Sequence, residues 1–176
     1  MDVGGDWYDL IALDEHRLLL VVGDVSGRGL TAATTMASLR YAIHAYVAQR
    51  DSPASLLSKL SSLISVDSSG QIATVLFAII DGPAHQISIT NAGHLPPLMI
   101  TNGRAELLPT EVGLPVGVDA GASYRTTHVS APAGATCWRL RTGSSSAAAK
   151  RSTPALSACA CGSAVTVTRS MSYSAR

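Results

Sequence analysis

The stretch "RLLLVVGDVSGRG" constrains this chain more than any other. Its leucine and valine run, Arg17 to Val25, is short and continuous, which suits a strand buried on both faces. The run ends in Gly23-Asp24, so the strand delivers a carboxylate at its tip. An acid there costs stability unless something compensates it. A second acid has a similar setting near the start, where "MDVGGDWYDL" places Asp6 after Gly4-Gly5 and Asp9 three residues on. Two carboxylates from separate elements, each beside a glycine that allows close backbone approach, are reasonable ligands for a hard cation such as Mg²⁺ or Mn²⁺. The same residues also fit a pair of caps, Asp6 closing a turn and Asp24 capping the helix that follows.

That helix is clear. From Leu30 to Gln49 there is no Gly or Pro, and Ala32, Met36, Leu39, Ile43 and Tyr46 recur at helical spacing. Ser52-Pro53 reads as an N-cap followed by proline at the first helical position, opening a second helix to about Ser65. The period then changes. Gln71–Asp81 and His85–Asn91 are β-branched runs joined at "DGPA", which predicts an antiparallel hairpin. Further strands are expected at Leu98–Thr101, at Ala105–Leu108 after an Asn102-Gly103 turn, and at Tyr124–Val129. One strand, two helices and a run of antiparallel strands predict an α+β layered fold rather than alternating βαβ units.

Composition excludes several classes. No apolar stretch reaches the roughly 18 residues of a membrane span, and no basic segment precedes an apolar one at the N-terminus. A cytoplasmic protein is the expectation. The net charge of +1 hides a break: residues 1–119 hold all 12 acids against six bases, while residues 120–176 hold seven bases and no acid. The bases are scattered among Ser and Ala, and Tyr124, Trp138 and Tyr173 form no stacking pattern, so no nucleic-acid partner is expected. Cys137, Cys159 and Cys161 all follow the break, and Cys159-Ala160-Cys161 has the wrong spacing for a redox or zinc pair.

Two other motifs carry less. Gly27-Arg28-Gly29-Leu30-Thr31-Ala32 matches the dinucleotide fingerprint G-x-G-x-x-A, which needs a second parallel strand after its helix. Here a second helix follows, and the context fails. His94 in "NAGH" could serve as a general acid, but a turn residue between two strands is the plainer reading. His16, His44, His85 and His128 show no partner pattern.

"VGGDWYDL", "VVGDVSGRGLTAA", "ATVLFAIID", "ITNAGHLPPLMI" and "GLPVGV" occur in this order over residues 1–136. Together they resemble the SpoIIE-like branch of the PPM-type metal-dependent protein phosphatases, relatives of protein phosphatase 2C. The resemblance implies a sandwich of antiparallel sheets flanked by helices, and a pair of Mn²⁺ or Mg²⁺ ions bridged by Asp6 and Asp24. It adds the backbone carbonyl of Val25 as a further ligand, with Gly23, Gly27 and Gly29 in the loop that delivers the site. Gly5 and Asp9 are expected around the metal, Asp9 holding a metal-bound water. The two cations would acidify a shared water that attacks a phosphoserine phosphorus. The implied substrate is a phosphorylated protein, an anti-sigma-factor antagonist.

The chain departs from that family in two places. Members carry at least one strand before the Gly-Gly-Asp block, and they supply further ligands from a later Thr-Asp-Gly-Leu-Val-Glu block and an Asp-rich block near the C-terminus. No acid follows Asp119. "VSAPAGAT" fits the approach to the missing block, but "CWRLRTGSSSAAA" follows it. With GC-rich codons for Cys137 to Ala148 and the frame slid back one base, one permitted translation is Leu-Leu-Ala-Ser-Thr-Asp-Gly-Leu-Val-Glu-Arg-Arg. Residues 1–136 are therefore expected to be a partial phosphatase domain incomplete at both ends. Residues 137–176, with nine Ser and eight Ala, are expected to be a frameshifted and disordered tail. The alternative function is a catalytically dead remnant, acting at most as a protein-binding module.

Overall fold

The computed structural model describes residues 4–64, 70–101, 104–131, 136–138, 156–158 and 165–167. The first strand, β1 (Gly4–Ala12), runs antiparallel to β2 (Arg17–Arg28). Two helices follow, α1 (Leu30–Ala48) and α2 (Pro53–Leu63). Next come β3 (Ala73–Asp81), β4 (Gln86–Ala92), β5 (Leu98–Thr101), β6 (Arg104–Leu107), β7 (Val112–Gly113) and β8 (Thr126–Ser130). Short strands β9 (Thr136–Trp138), β10 (Leu156–Ala158) and β11 (Val165–Val167) complete the described elements.

The main sheet has the order β1-β2-β3-β4-β7, with β8 also pairing β4. Its pairs are antiparallel except for the two-residue parallel contact of β7 with β4. A strand entering α1 is thus followed by an antiparallel neighbour, which removes the parallel crossover that dinucleotide binding needs.

The sheet separates two cores because strand side chains alternate between faces. Trp7, Leu19, Val21, Val25, Val75 and Phe77 pack with Ala32, Leu39 and Ile43 of α1 and Leu56, Leu57 and Leu60 of α2. On the opposite face Leu20, Val22, Leu76, Ala78, Ile80, Ile87 and Ile89 form a second cluster, joined by Met99 of β5. The small sheet β6-β5-β9 therefore lies across from the helices.

Local signals account for most elements. The Ser52 side chain accepts a hydrogen bond from the Ser55 amide at 3.2 Å, with Pro53 opening α2. The β3–β4 hairpin holds its register from Val75 opposite Ala92 to Asp81 opposite Gln86. The Asn102-Gly103 turn and Ser65 lie outside the described residues. Most of residues 137–176 lie there too, and with them the expectation of a disordered tail. Thr136–Trp138, at its boundary, pair antiparallel with β5.

Two expectations are corrected. Tyr124 does not begin β8; it is buried in the helix-side core, its hydroxyl 2.7 Å from Ser61 Oγ. Asp6 does not close a turn, because it stands inside β1, one of the longer strands of the sheet.

Candidate metal centre

Antiparallel pairing sets Asp6 of β1 directly opposite Asp24 of β2. Directly opposed residues share a face. The face is the one away from the helices, since Asp24 alternates with Val22 and Leu20, and Asp6 alternates with Leu10. Both aspartates are half-buried. Neither is a cap. The N-cap of α1 is Gly29, with no side-chain cap, and Asp6 stands inside a strand.

The pair is irregular just beyond. Gly4 faces Arg28 while Asp6 faces Asp24, so Val25, Ser26 and Gly27 oppose Gly5 alone. Such bulges bend the strand and increase its twist. A Cβ at Gly5 would stand 2.3 Å from the Val25 carbonyl oxygen, so only glycine lets β1 close onto that oxygen. Gly27 and Gly29 both have positive φ, 89° and 83°, where other residues are strained. They turn the chain from the end of β2 into α1. Gly23 serves differently: a Cβ there would lie 2.1 Å from the Trp7 ring, so the indole occupies the helix side of the position next to Asp24.

Asp9 requires a correction. Three residues past Asp6, it points to the opposite face, alongside Trp7 and Ile11. Its Oδ2 accepts a hydrogen bond from Arg40 Nε at 2.9 Å and lies 2.6 Å from His44 Nε2. Burial works to raise the Asp9 pKa, but hydrogen bonds and charge from Arg40 and His44 outweigh it and hold the carboxyl below its ordinary value. The expectation that Asp9 holds a metal-bound water gives way to a tie between β1 and α1. Sequence reading missed this because the face of Asp9 depends on β1 being a strand.

His94 sits in the turn after β4. Its amide donates to Asn91 Oδ1 and its carbonyl accepts from Asn91 Nδ2, each at 2.8 Å, and Nδ1 lies 3.0 Å from the Leu95 carbonyl. These contacts fit a turn residue. One polar group beside the aspartates was not anticipated. Thr74 of β3 lies directly opposite Asp24, and its Oγ1 is buried with no hydrogen-bond partner.

The donors at this end of the sheet, two carboxylates and the Val25 carbonyl, are all oxygens. That set suits a hard divalent cation of the Mg²⁺ or Mn²⁺ class rather than a thiophilic one. Among the described residues no group of three or more His, Cys, Asp and Glu comes together. No helix among them is long and apolar enough to cross a membrane.

Comparison with known proteins bears on the family and the fold. The sequence profile of the SpoIIE family, described as Stage II sporulation protein E, matches residues 14–138. Phosphoserine phosphatase RsbP of Bacillus subtilis (strain 168) is 26% identical over 134 residues, 73% of this chain and 33% of RsbP. A crystal structure of the RsbU and RsbW domains of Rv1364c from Mycobacterium tuberculosis aligns with TM-score 0.62 and 31% identity. It covers 76% of this chain and 38% of that one. The PP2C phosphatase domain of SpoIIE from Bacillus subtilis aligns with TM-score 0.65 at 16% identity, over 76% of this chain and 39% of that one, and supports the fold. The chain spans about a third of the length of the curated relatives it matches. Its fold and its matched residues together place it in the SpoIIE family, the SpoIIE-like branch of the PPM-type protein phosphatases.

Proposed function

We propose that residues 1–136 are the metal-binding part of a protein serine/threonine phosphatase domain, whose substrate is a phosphoserine on an anti-sigma-factor antagonist. The observation that carries this reading is the register of Asp6 opposite Asp24 on one face of the sheet. Asp6, Asp24 and the Val25 carbonyl would hold Mn²⁺ or Mg²⁺. Bound there, such cations would activate water near neutral pH and offset charge on the transferring phosphoryl group. The chain's own part is to bind and position. Gly5 admits the Val25 carbonyl, Trp7 over Gly23 sets the strand pair, and Gly27 and Gly29 turn β2 into α1. The name of RsbP, a phosphoserine phosphatase, supports the substrate class.

Residues 137–176 are, in this reading, a frameshifted tail. The family match ends at residue 138, close to where the composition changes. A second reading, a remnant without catalysis that binds a partner through its helices, is favoured by ligand count. Among the described residues, Asp6 and Asp24 are joined by no third His, Cys, Asp or Glu. Affinity at oxygen sites follows ligand charge and rigidity. The chain as it stands should therefore show little or no turnover.

The test is hydrolysis of a phosphoserine peptide over a Mn²⁺ titration. One protein is the present chain; the other carries the restored reading frame after residue 136. Recovery of turnover only in the repaired protein is expected. Comparable turnover from both would overturn the metal-site assignment.

A further inference from the structure

We propose that Thr74 is a positioning residue for Asp24: its hydroxyl donates a hydrogen bond to the Asp24 carboxylate when that carboxylate holds a divalent cation. The proposal rests on the metal-site reading above. Asp6, Asp24 and Thr74 are opposed in register across β1, β2 and β3, so their side chains form a row on the face away from the helices. Opposed side chains of antiparallel strands have Cβ atoms about 5 Å apart, within reach of a hydroxyl–carboxylate hydrogen bond. Yet Thr74 Oγ1 is buried without a partner. Valine would fill the same space at no polar cost, and the flanking β3 positions hold Ala73 and Val75. A buried hydroxyl is destabilising where it stands idle, so its use lies in another state of the site. Carboxylates that ligate metals are themselves oriented by hydrogen bonds, and Thr74 is the donor beside Asp24 on the β3 side.

Three variants of the full chain test this: Thr74→Val, Thr74→Ser and Asp24→Asn. Mn²⁺ binding is followed by the electron paramagnetic resonance of free Mn²⁺, and thermal unfolding is recorded without metal. Thr74→Val should bind Mn²⁺ about tenfold more weakly, while unfolding without metal at the same temperature as the parent or higher. Thr74→Ser keeps the donor and should bind as the parent does. Unchanged Mn²⁺ affinity in Thr74→Val overturns the proposal. So does a fall in its metal-free stability, which would make the hydroxyl structural. Asp24→Asn separates the two levels. If it abolishes binding while Thr74→Val does not weaken it, only the role of Thr74 fails. If Asp24→Asn binds Mn²⁺ like the parent, the metal-site reading fails first.

Discussion

His44 Nε2 lies 2.6 Å from Asp9 Oδ2, and Arg40, one turn earlier on α1, reaches the same oxygen at 2.9 Å. One carboxylate thus fastens the exposed side of α1 to β1, three residues from Asp6. The arrangement predicts a pH effect with a definite sign. The folded-state pKa of Asp9 is depressed, so its contribution is complete above the unfolded value of about 4 and is lost as pH falls through the folded value. Asp9→Asn should cost about 1 kcal/mol at pH 7. In urea unfolding from pH 7 to pH 2, the gap between Asp9→Asn and the parent should close on the acid side. A gap that stays constant would show that charge plays no part.

The Trp7 indole against Gly23 makes a second prediction. Because a Cβ at Gly23 would stand 2.1 Å from the ring, Gly23→Ala must displace a buried indole or part the strands. The expected cost is about 1–3 kcal/mol of unfolding free energy. A near-ultraviolet circular dichroism spectrum should report the altered tryptophan environment. A variant as stable as the parent with the same spectrum would mean that the ring has room to move.

Gly29 separates strain from crowding. A Cβ there meets nothing within 4 Å, yet φ is 83° and ψ is −159°, a region essentially reserved for glycine. Gly29→Ala and Gly29→Val should therefore destabilise alike, by about 1–3 kcal/mol. In the frame-restored protein Gly29→Val should reduce Mn²⁺-dependent turnover by roughly tenfold or more, since small displacements of a positioned group are costly. Unchanged turnover would make the loop a mere connector.

Ser61 and Tyr124 supply a test of the core beneath α2. Their hydroxyls are 2.7 Å apart and buried, and desolvation raises the Tyr124 pKa, with the Ser61 hydrogen bond acting against it. Ser61→Ala or Tyr124→Phe alone strands one hydroxyl and should cost about 1–3 kcal/mol. The double variant should cost less than the two single losses added together. Additive losses in chemical denaturation would show that the two hydroxyls are not coupled.

Much of this architecture is legible in the residues, and the exceptions have physical causes. Helices α1 and α2 and the β3–β4 hairpin announce themselves through period and capping, as Ser52-Pro53 and the Leu39–Ile43 spacing show. Strand β1 does not. Its glycines and aspartates are poor strand formers, and only pairing with β2 reveals that Asp6 and Asp9 face opposite sides. Strand β7 is two residues long and exists because β4 extends past β8. The pairing of Asp9 with Arg40 and His44 joins residues more than thirty positions apart, which no local pattern encodes. Resemblance supplied the roles proposed for Asp6 and Asp24; register supplied their meeting.

The two-sidedness of β1 has a consequence for error control. If β1 slipped by one residue against β2, every side chain would change faces. Asp9 would then leave Arg40 and His44, and the Trp7 indole would be turned out of the helix-side core. Both misplacements are unfavourable, so the indole seated over Gly23 acts as a checksum on the edge strand. The alignment that buries the ring is also the one that brings Asp6 to Asp24, so one register decides both the packing of the indole and the meeting of the two aspartates.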